Sequence, residues 1–390
     1  MGFTHTDIAL ERPVPRLFGE EDRSPGAALP AAVQVLRGRH AIAARRDLLR
    51  ELCRRTGQGG AMDDLDVWLD TPTSRVKIPY LVLVGPRNPM NRDEIRAVDL
   101  DGAVLIFEYR FAGRASGVLA TEDMSGERTV IAPAAVRAEI AEIAGRTLLE
   151  QGATVALISL QGHSQAGPGH TTNAAVACRI ATRKRNLPRY LPLAPTFEAT
   201  LATLGAHTRR NLRCYRRRLE RDFSVEFVPE VKMDLEEFLA MNRASINVLP
   251  ESIAVWRFQA LSRIAAPVFC GLRCTDGRWL SLLAGRRHPG ALDIDWQMNL
   301  AGLPRYSLCT AMRSFLLEYE IARGTRKLVF EGGTPHSIRH SFACVEASDV
   351  IVERRSPKAW LLRQFSQWIF PETNFLRNTW RDKSLQWIDS

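Results

Sequence analysis

No stretch of this chain approaches the ~20 consecutive apolar residues that a membrane-crossing helix needs, so nothing in it reads as a span. The first residues, Met-Gly-Phe-Thr-His-Thr-Asp, lack a basic segment followed by an apolar one, which argues against a secretory leader. Gly2 and Thr6 fit an N-myristoylation pattern only loosely. The seven Cys are odd in number and include no CxxC pair, which predicts reduced thiols in a cytoplasmic protein. Cys270 and Cys274 share a strand face without the further ligands a zinc set requires, so no metal site is expected. GxSxG, HExxH, P-loop and Rossmann fingerprints are all missing, and hydrolase and nucleotidase chemistries have no positive support.

What is present is ordinary in bulk and biased in charge. With 45% hydrophobic and 25% charged residues over 390 positions, the chain is long enough for two or three domains and two buried cores. Lys and Arg outnumber Asp and Glu by 53 to 43, which favours acidic partners: phosphates, nucleic acid, anionic lipid or a CoA-like donor.

The most informative stretch is 268–342. Strand-like runs at 268–275 and 278–286 flank Asp276-Gly277, a strong hairpin signal. A third run, 291–299, alternates Leu292, Ile294 and Trp296 with Asp293, Asp295 and Gln297, which predicts one apolar and one polar face. After 300–306 the period lengthens. Met312, Phe315, Leu316, Tyr319 and Ala322 predict a helix that opens at Ser307, a good N-cap, and stops at Gly324. A fourth strand is predicted at 327–331. A helix N-terminus after such a loop aims unpaired N–H groups at one spot, where an anion can sit.

Three antiparallel strands, a loop, a helix and a returning strand resemble the acyl-donor half of the GNAT superfamily of acyltransferases. Leu303-Pro-Arg-Tyr-Ser-Leu-Cys-Thr-Ala-Met312 is similar to the "aryspGtlLl" segment of the FemAB/CelD-like members. Phe330-Glu-Gly-Gly333 followed by Ile338-Arg-His-Ser-Phe342 is similar to their "dflgG…yKxxW/F" ending. Thr208-Arg-Arg-Asn-Leu-Arg-Cys-Tyr-Arg-Arg-Arg-Leu-Glu-Arg221 resembles their "kxRrnlrrxrrrle" helix. The likeness covers about 190–353, with Cys309 where the usual Gly stands and Leu308 where the usual Pro stands. It implies an α/β fold of tandem GNAT-like domains, each a mixed, mostly antiparallel sheet flanked by helices.

In chain order, residues 1–30 read as a leader, and 31–165 as an N-terminal α/β domain with helices at 38–55 and 134–150 and strands at 80–84, 103–111, 117–121 and 154–160. That order echoes the second half, as a degenerate GNAT-like copy or as any other α/β domain. Residues 166–189 read as a joining segment, 190–355 as the C-terminal GNAT-like domain and 356–390 as a tail. In the Arg-rich helix, Arg209, Arg213, Arg217 and Arg221 recur every four residues and stack on one side, with Leu212, Tyr215 and Leu219 turned inward. That ladder suits bidentate phosphate contacts, a solvated basic face, or a nucleic-acid groove poor in stacking aromatics. In the tail, Trp360, Leu361, Gln364, Phe365, Trp368 and Ile369 predict an aromatic helix face that packs on the protein, forms a dimer contact or lies on an anionic membrane.

Acyl transfer to an amine needs a base, a donor for the leaving thiolate and N–H groups to polarise the carbonyl. By the resemblance, the carbonyl is held where two strands splay, near 295–299 and 329–331. Asp295 and Glu331 are then base candidates, His340 a rival base and Tyr306 the acid. Asn299, Gly302, Arg305, Ser307, Leu308, Cys309 and Thr310 would hold the donor, and Arg209, Arg213, His336 and Arg339 the substrate's acidic groups. Each has a structural alternative: Asp295 as the solvent face of a strand, Glu331 as an ion-pair partner of Arg339, Tyr306 as packing. The resemblance implies acyl-CoA as co-substrate, with no permanently bound cofactor, and an amine acceptor in polysaccharide, lipid or cell-envelope synthesis. An aminoacyl-tRNA donor and a non-catalytic binding protein are the alternatives.

Overall fold

Residues 32–58, 65, 69, 77–85, 97–121, 129–161, 176–330, 337–369, 380, 385 and 387–389 are described by the computed structural model. The chain forms two units, residues 1–185 with 346–390, and residues 186–345. The expected leader lies outside the described residues.

The first unit opens with β1 (Ala32–Arg37), α1 (Arg39–Ala43), α2 (Arg46–Arg55), β2 (Lys77–Gly85), β3 (Gly102–Phe111), β4 (Arg114–Ala120), β5 (Val130–Ile131), α3 (Arg137–Glu150) and β6 (Val155–Gln161). The single helix predicted at 38–55 is therefore two. β1 to β4 pair antiparallel in order, and β6 returns parallel to β4. The period-3.6 pattern of α3 buries Ile140, Ala144 and Leu148 against Val82, Val104, Ile106 and Ile158 of the sheet. β7 (Cys178–Pro192) follows, a strand over half of what the sequence predicts as a joining segment.

The second unit contains the end of β7, then α4 (Phe197–Thr203), α5 (Ala206–Phe223), β8 (Val225–Val228), α6 (Leu235–Arg243), α7 (Glu251–Leu261), β9 (Pro267–Cys274), β10 (Trp279–His288), β11 (Ala291–Asn299), α8 (Leu308–Ala322) and β12 (Lys327–Phe330). Its sheet runs β8-β9-β10-β11-β12-β7, antiparallel except for the β11–β12 pair. Leu212 and Leu219 of α5 and Met312 and Leu316 of α8 fill one face of that sheet with Leu272, Leu283 and Leu292. Phe238 of α6 and Phe258 of α7 cover the other, against Trp279, Trp296 and Met298. α8 is buried nearly all round rather than along one stripe, and Ala322 is exposed. Apolar residues on both sides of such a helix signal a central position, not an outer one.

The chain then returns to the first unit with most of β13 (Ala343–Arg354), α9 (Pro357–Ile369) and β14 (Trp387–Asp389). β13 pairs with β6 and β14 with β7. The second unit thus ends before the predicted 355, and the tail belongs to the first. Each unit has a mixed, mostly antiparallel sheet flanked by helices, the fold class the resemblance implies. Both repeat one order, three antiparallel strands, a helix and a strand parallel to the third.

One glycine is dictated by close approach. A Cβ on Gly285 would lie 1.9 Å from the carbonyl oxygen of Asp293 on the neighbouring strand. Gly285→Ala is expected to cost roughly 1–3 kcal/mol of stability by forcing β10 and β11 apart, visible as a lower urea midpoint. An unchanged midpoint would show that the two strands do not approach so closely.

Candidate functional site

The site grows from an irregularity in β11. Gly285 pairs with Ile294 and Ala284 with Trp296, which leaves Asp295 as the extra residue of a β-bulge. A bulge reverses which face each following side chain takes. Leu292 and Ile294 belong to the core under α5 and α8, whereas Trp296 and Met298 belong to the core under α6 and α7. The predicted alternation of Leu292, Ile294 and Trp296 on one side therefore fails at Asp295. Gln297 is turned toward the start of α8 instead, where its Oε1 accepts from the Cys309 thiol at 3.3 Å.

The pairing of β11 with β12 is described as far as the bulge. β11 pairs with β12 from Ala291–Lys327 to Ile294–Phe330, the last described residue of β12. β11 runs on to Asn299 paired with β10. At the end of its other edge the Asn299 carbonyl accepts from the Ile246 N–H at 2.9 Å, beside a bridge between Ser245 and Leu300. Glu331, predicted as a base beside a splay of these strands, and His336, predicted for the substrate's acidic groups, lie outside the described residues.

α8 opens beside the bulge. Ser307 stands at the N-cap position, as predicted, but in the left-handed region (φ 41°, ψ 63°), and its side chain caps no helix N–H. Its Oγ instead shares a hydrogen bond with Thr310 Oγ1 at 2.8 Å, and its carbonyl accepts from the N–H groups of Thr310 and Ala311. A non-glycine residue held in that region stores strain of order 1–3 kcal/mol, and such residues cluster at ligand sites. Gly302, also at positive φ (81°), shapes the exposed loop before it. Leu308 is buried in the core, and Cys309 is half-buried. Burial pushes the Cys309 thiol up, so it serves as a hydrogen-bond donor rather than a thiolate. Gln297 Nε2 donates to Ser281 Oγ (3.2 Å) and Asn299 Oδ1 (3.0 Å), and Ser281 Oγ donates to Asn299 Oδ1 at 2.8 Å. Asn299 is thus part of a polar network under the helix start. One turn beyond Cys309, Arg313 is 7% exposed, with its guanidinium 5.0 Å from the ring centre of Phe330.

Asp295 takes the opposite side. It lies 3.5 Å from Arg286, and it acts electrostatically on Arg257 of α7, whose guanidinium sits over the Trp296 ring. The α8 network and the carboxylate therefore flank the bulge on two faces of the sheet.

Tyr306 differs from its predicted role. Its ring is buried edge-on against Phe223 (4.8 Å), and its hydroxyl donates to Asp222 Oδ2 at 3.0 Å while accepting from Arg305. Asp222 is held below the usual carboxylate range by Arg221, with the Tyr306 hydroxyl and Arg305 adding to it. A hydroxyl so engaged anchors the loop to α5 and is not presented as an acid. Arg218 completes the clamp, donating to the Arg305 carbonyl at 2.6 Å.

The basic helix behaves as its spacing predicts. Arg209, Arg213, Arg217, Arg218 and Arg221 line a groove of about 510 Å³. Leu212 and Leu219 are buried and Tyr215 half-buried. Arg213 is paired with Glu198, and Arg209 donates to the Ala202 carbonyl at 3.1 Å. Arg339 and His340 are exposed on a short 3₁₀ turn (Ser337–Ser341), directly after the buried Ile338. Sequence reasoning missed Ser281, Gln297, Arg218, Asp222 and Arg313. For Arg313 a signal existed, a lone cation inside an apolar helix run.

In the first unit the corresponding strands stay joined. The Thr121 N–H donates to the Leu157 carbonyl (2.9 Å), and Thr121 Oγ1 accepts from the Ser159 N–H at 2.8 Å. Ser159 Oγ in turn donates to Asp349, which also pairs with Arg185. The tail helix α9 turns Trp360, Leu361 and Phe365 outward, 47–55% exposed. Trp380 is fully buried and donates to Glu353 Oε2 at 2.6 Å.

No family model matches the chain, and no curated protein does. Among solved structures, L-PGS from Bacillus licheniformis is 11% identical, with a TM-score of 0.46 over 83% of this chain and 96% of that one. A tandem GNAT protein from the clavulanic acid biosynthesis pathway is 12% identical, with a TM-score of 0.45 over 84% and 99%. FemX is 8% identical, with a TM-score of 0.43 over 72% and 90%.

Proposed function

We propose that the second unit is a GNAT-like N-acyltransferase of the FemAB/CelD-like type, moving an acyl group from an acyl-CoA thioester to an amine. The reading rests on one observation: β11 bulges at Asp295 directly beside the opening of a long helix, to which Gln297 is bonded. On this reading β11 and β12 part beyond the bulge, and backbone N–H groups of β11 polarise a carbonyl held there. The amine attacks that carbonyl, a C–N bond forms, the C–S bond breaks, and the sulfur leaves as thiolate. Asp295, on the opposite face, takes the amine proton. The α8 N-terminus and the α5 arginines hold the donor's phosphates. The free thiols support a cytoplasmic enzyme, and the sequence resemblance an acceptor in polysaccharide or cell-envelope synthesis. No helix among the described residues is long and apolar enough to cross a membrane.

Two other readings each have an observation in their favour. The arginine groove suits an aminoacyl-tRNA donor. The Cys309–Gln297 contact, where a Pro–Gly pair is usual, suits a binding protein without turnover. Thermal-shift titration separates the three. Under the first, acetyl-CoA or a longer acyl-CoA stabilises the protein, by about 2.7 kcal/mol at one hundred times Kd. Arg218→Gln, which unclamps the donor loop and removes a charge, then weakens CoA binding about 10-fold, or 1.4 kcal/mol. A salt-sensitive shift with tRNA alone selects the second, and no shift with any of them selects the third.

A further inference from the structure

α9 is apolar on two sides, and the protein covers only one of them. On the inner side Ala359 and Ser366 are fully buried, while Leu362 and Ile369 pack against Val118, Val155, Ile351 and Trp380 of the first unit. The outer side presents Trp360, Leu361 and Phe365, which are 55%, 47% and 51% exposed. At 3.6 residues per turn these three spread over about 140° of the helix circumference. One exposed apolar residue would mean little. Three large ones sharing a face within two turns mark a surface that meets something. A helix apolar all round belongs between two layers.

Charge identifies the second layer. Arg354, Arg355, Lys358 and Arg363 fall in residues 354–371, which contain no Asp or Glu. Lys358 is exposed and lies two turns before Phe365, so it borders the apolar face on one flank. Arg363 lies one turn beyond Trp360 on the other flank, its guanidinium 5.8 Å from the ring centre of Trp387. Trp, Phe and Leu between flanking cations is the pattern of a helix lying in the plane of an anionic bilayer. With 13 residues, α9 is about 20 Å long and too short to cross one. A second copy of the chain fits poorly. A two-fold contact through this face would press the same cations together, and three side chains cover far less than the ~800 Å² per partner of a standard interface.

We propose that α9 seats the protein on an anionic membrane surface, with Trp360, Leu361 and Phe365 entering the headgroup layer and the flanking cations drawn to lipid phosphates. The inner side of the helix is packed on the protein without lipid, so docking pays no folding cost. The inference is independent of the acyltransferase reading, because it concerns the other unit and requires no turnover.

The test is flotation of the whole protein with phosphatidylcholine vesicles, with and without a third of phosphatidylglycerol, at low and high salt. The wild type should bind the anionic vesicles more tightly than the neutral ones, and salt should weaken that binding. Trp360→Ser, Leu361→Ser and Phe365→Ser should each weaken it about 10-fold. Their Tm should stay at the wild-type value, because the side chains removed are exposed. Lys358→Gln should weaken binding about 5-fold, on anionic vesicles only. Gln364→Leu, at an exposed position between Trp360 and Leu361 on the same face, should tighten it about 5-fold. A misfolded variant cannot produce that gain. No binding to either vesicle overturns the inference. Anionic binding that ignores the serine variants and Gln364→Leu overturns it too, since it would reflect the net positive charge of the chain alone. Serine variants that convert a dimer to a monomer by sedimentation, with lipid binding unchanged, would make the face a subunit contact instead.

Discussion

Asp295→Asn is expected to lower turnover by about 10²–10⁴-fold, the range for loss of a general base, with donor affinity unchanged. The separation follows from the two faces of the sheet. The bulge removes Asp295 from both ladders and sets its carboxylate among Arg286, Arg257 and Trp296, under α6 and α7. The donor rests on the other face, at the start of α8 and along α5. Asn keeps the shape of Asp and loses its basicity, so the proton transfer fails while the donor still binds. Tm measured in parallel reports what the lost Arg286 pair costs. Turnover within a factor of two of the wild type would remove Asp295 from the mechanism and leave Glu331 and His340 as base candidates.

Glu320→Gln is expected to cost about 3–5 kcal/mol of stability, as breaking a buried ion pair does. Glu320 is fully buried in the last turns of α8. It accepts both Arg287 Nη atoms of β10, at 2.6 and 2.8 Å, and the Thr325 hydroxyl at 2.6 Å. Gln offers one acceptor where the guanidinium fork needs two, and it leaves Arg287 without its counter-charge. Chemical denaturation of Glu320→Gln, Arg287→Met and the double variant gives the coupling directly. A cost below about 1 kcal/mol for Glu320→Gln would place the pair with weak surface bridges. The contact matters to the site because it fastens α8 to the sheet, which sets where the helix start points.

Much of this was legible in local pattern. The Asp276-Gly277 hairpin, the helix that begins after Ser307 and the inward Leu212 and Leu219 of α5 all rest on neighbours a few residues apart. The bulge in β11 was not legible. Asp295 reads as one more polar residue in an alternating strand, because a bulge is defined by counting residues on two strands at once. Tyr306 reads as a free acid because Asp222, which accepts its hydroxyl proton, is distant in sequence. Arg313 reads as a lapse in an apolar face because burial on all sides of α8 depends on what α5 and the sheet bring to it.

The strands, helix and returning strand of 268–330 and the basic stripe on α5 were thus determined by the sequence alone, since each follows from periodicity and turn chemistry within one segment, whereas the tandem class came through the family resemblance. Only the tertiary structure decided that β11 slips a residue at Asp295, that Ser307 adopts a left-handed turn, that residues 346–390 return to the first unit, and that Arg313 is buried with no counter-ion among the described residues. The physical reason is common to all four. Register, strain and desolvation are properties of segments far apart in the chain pressed together, and no single segment contains them.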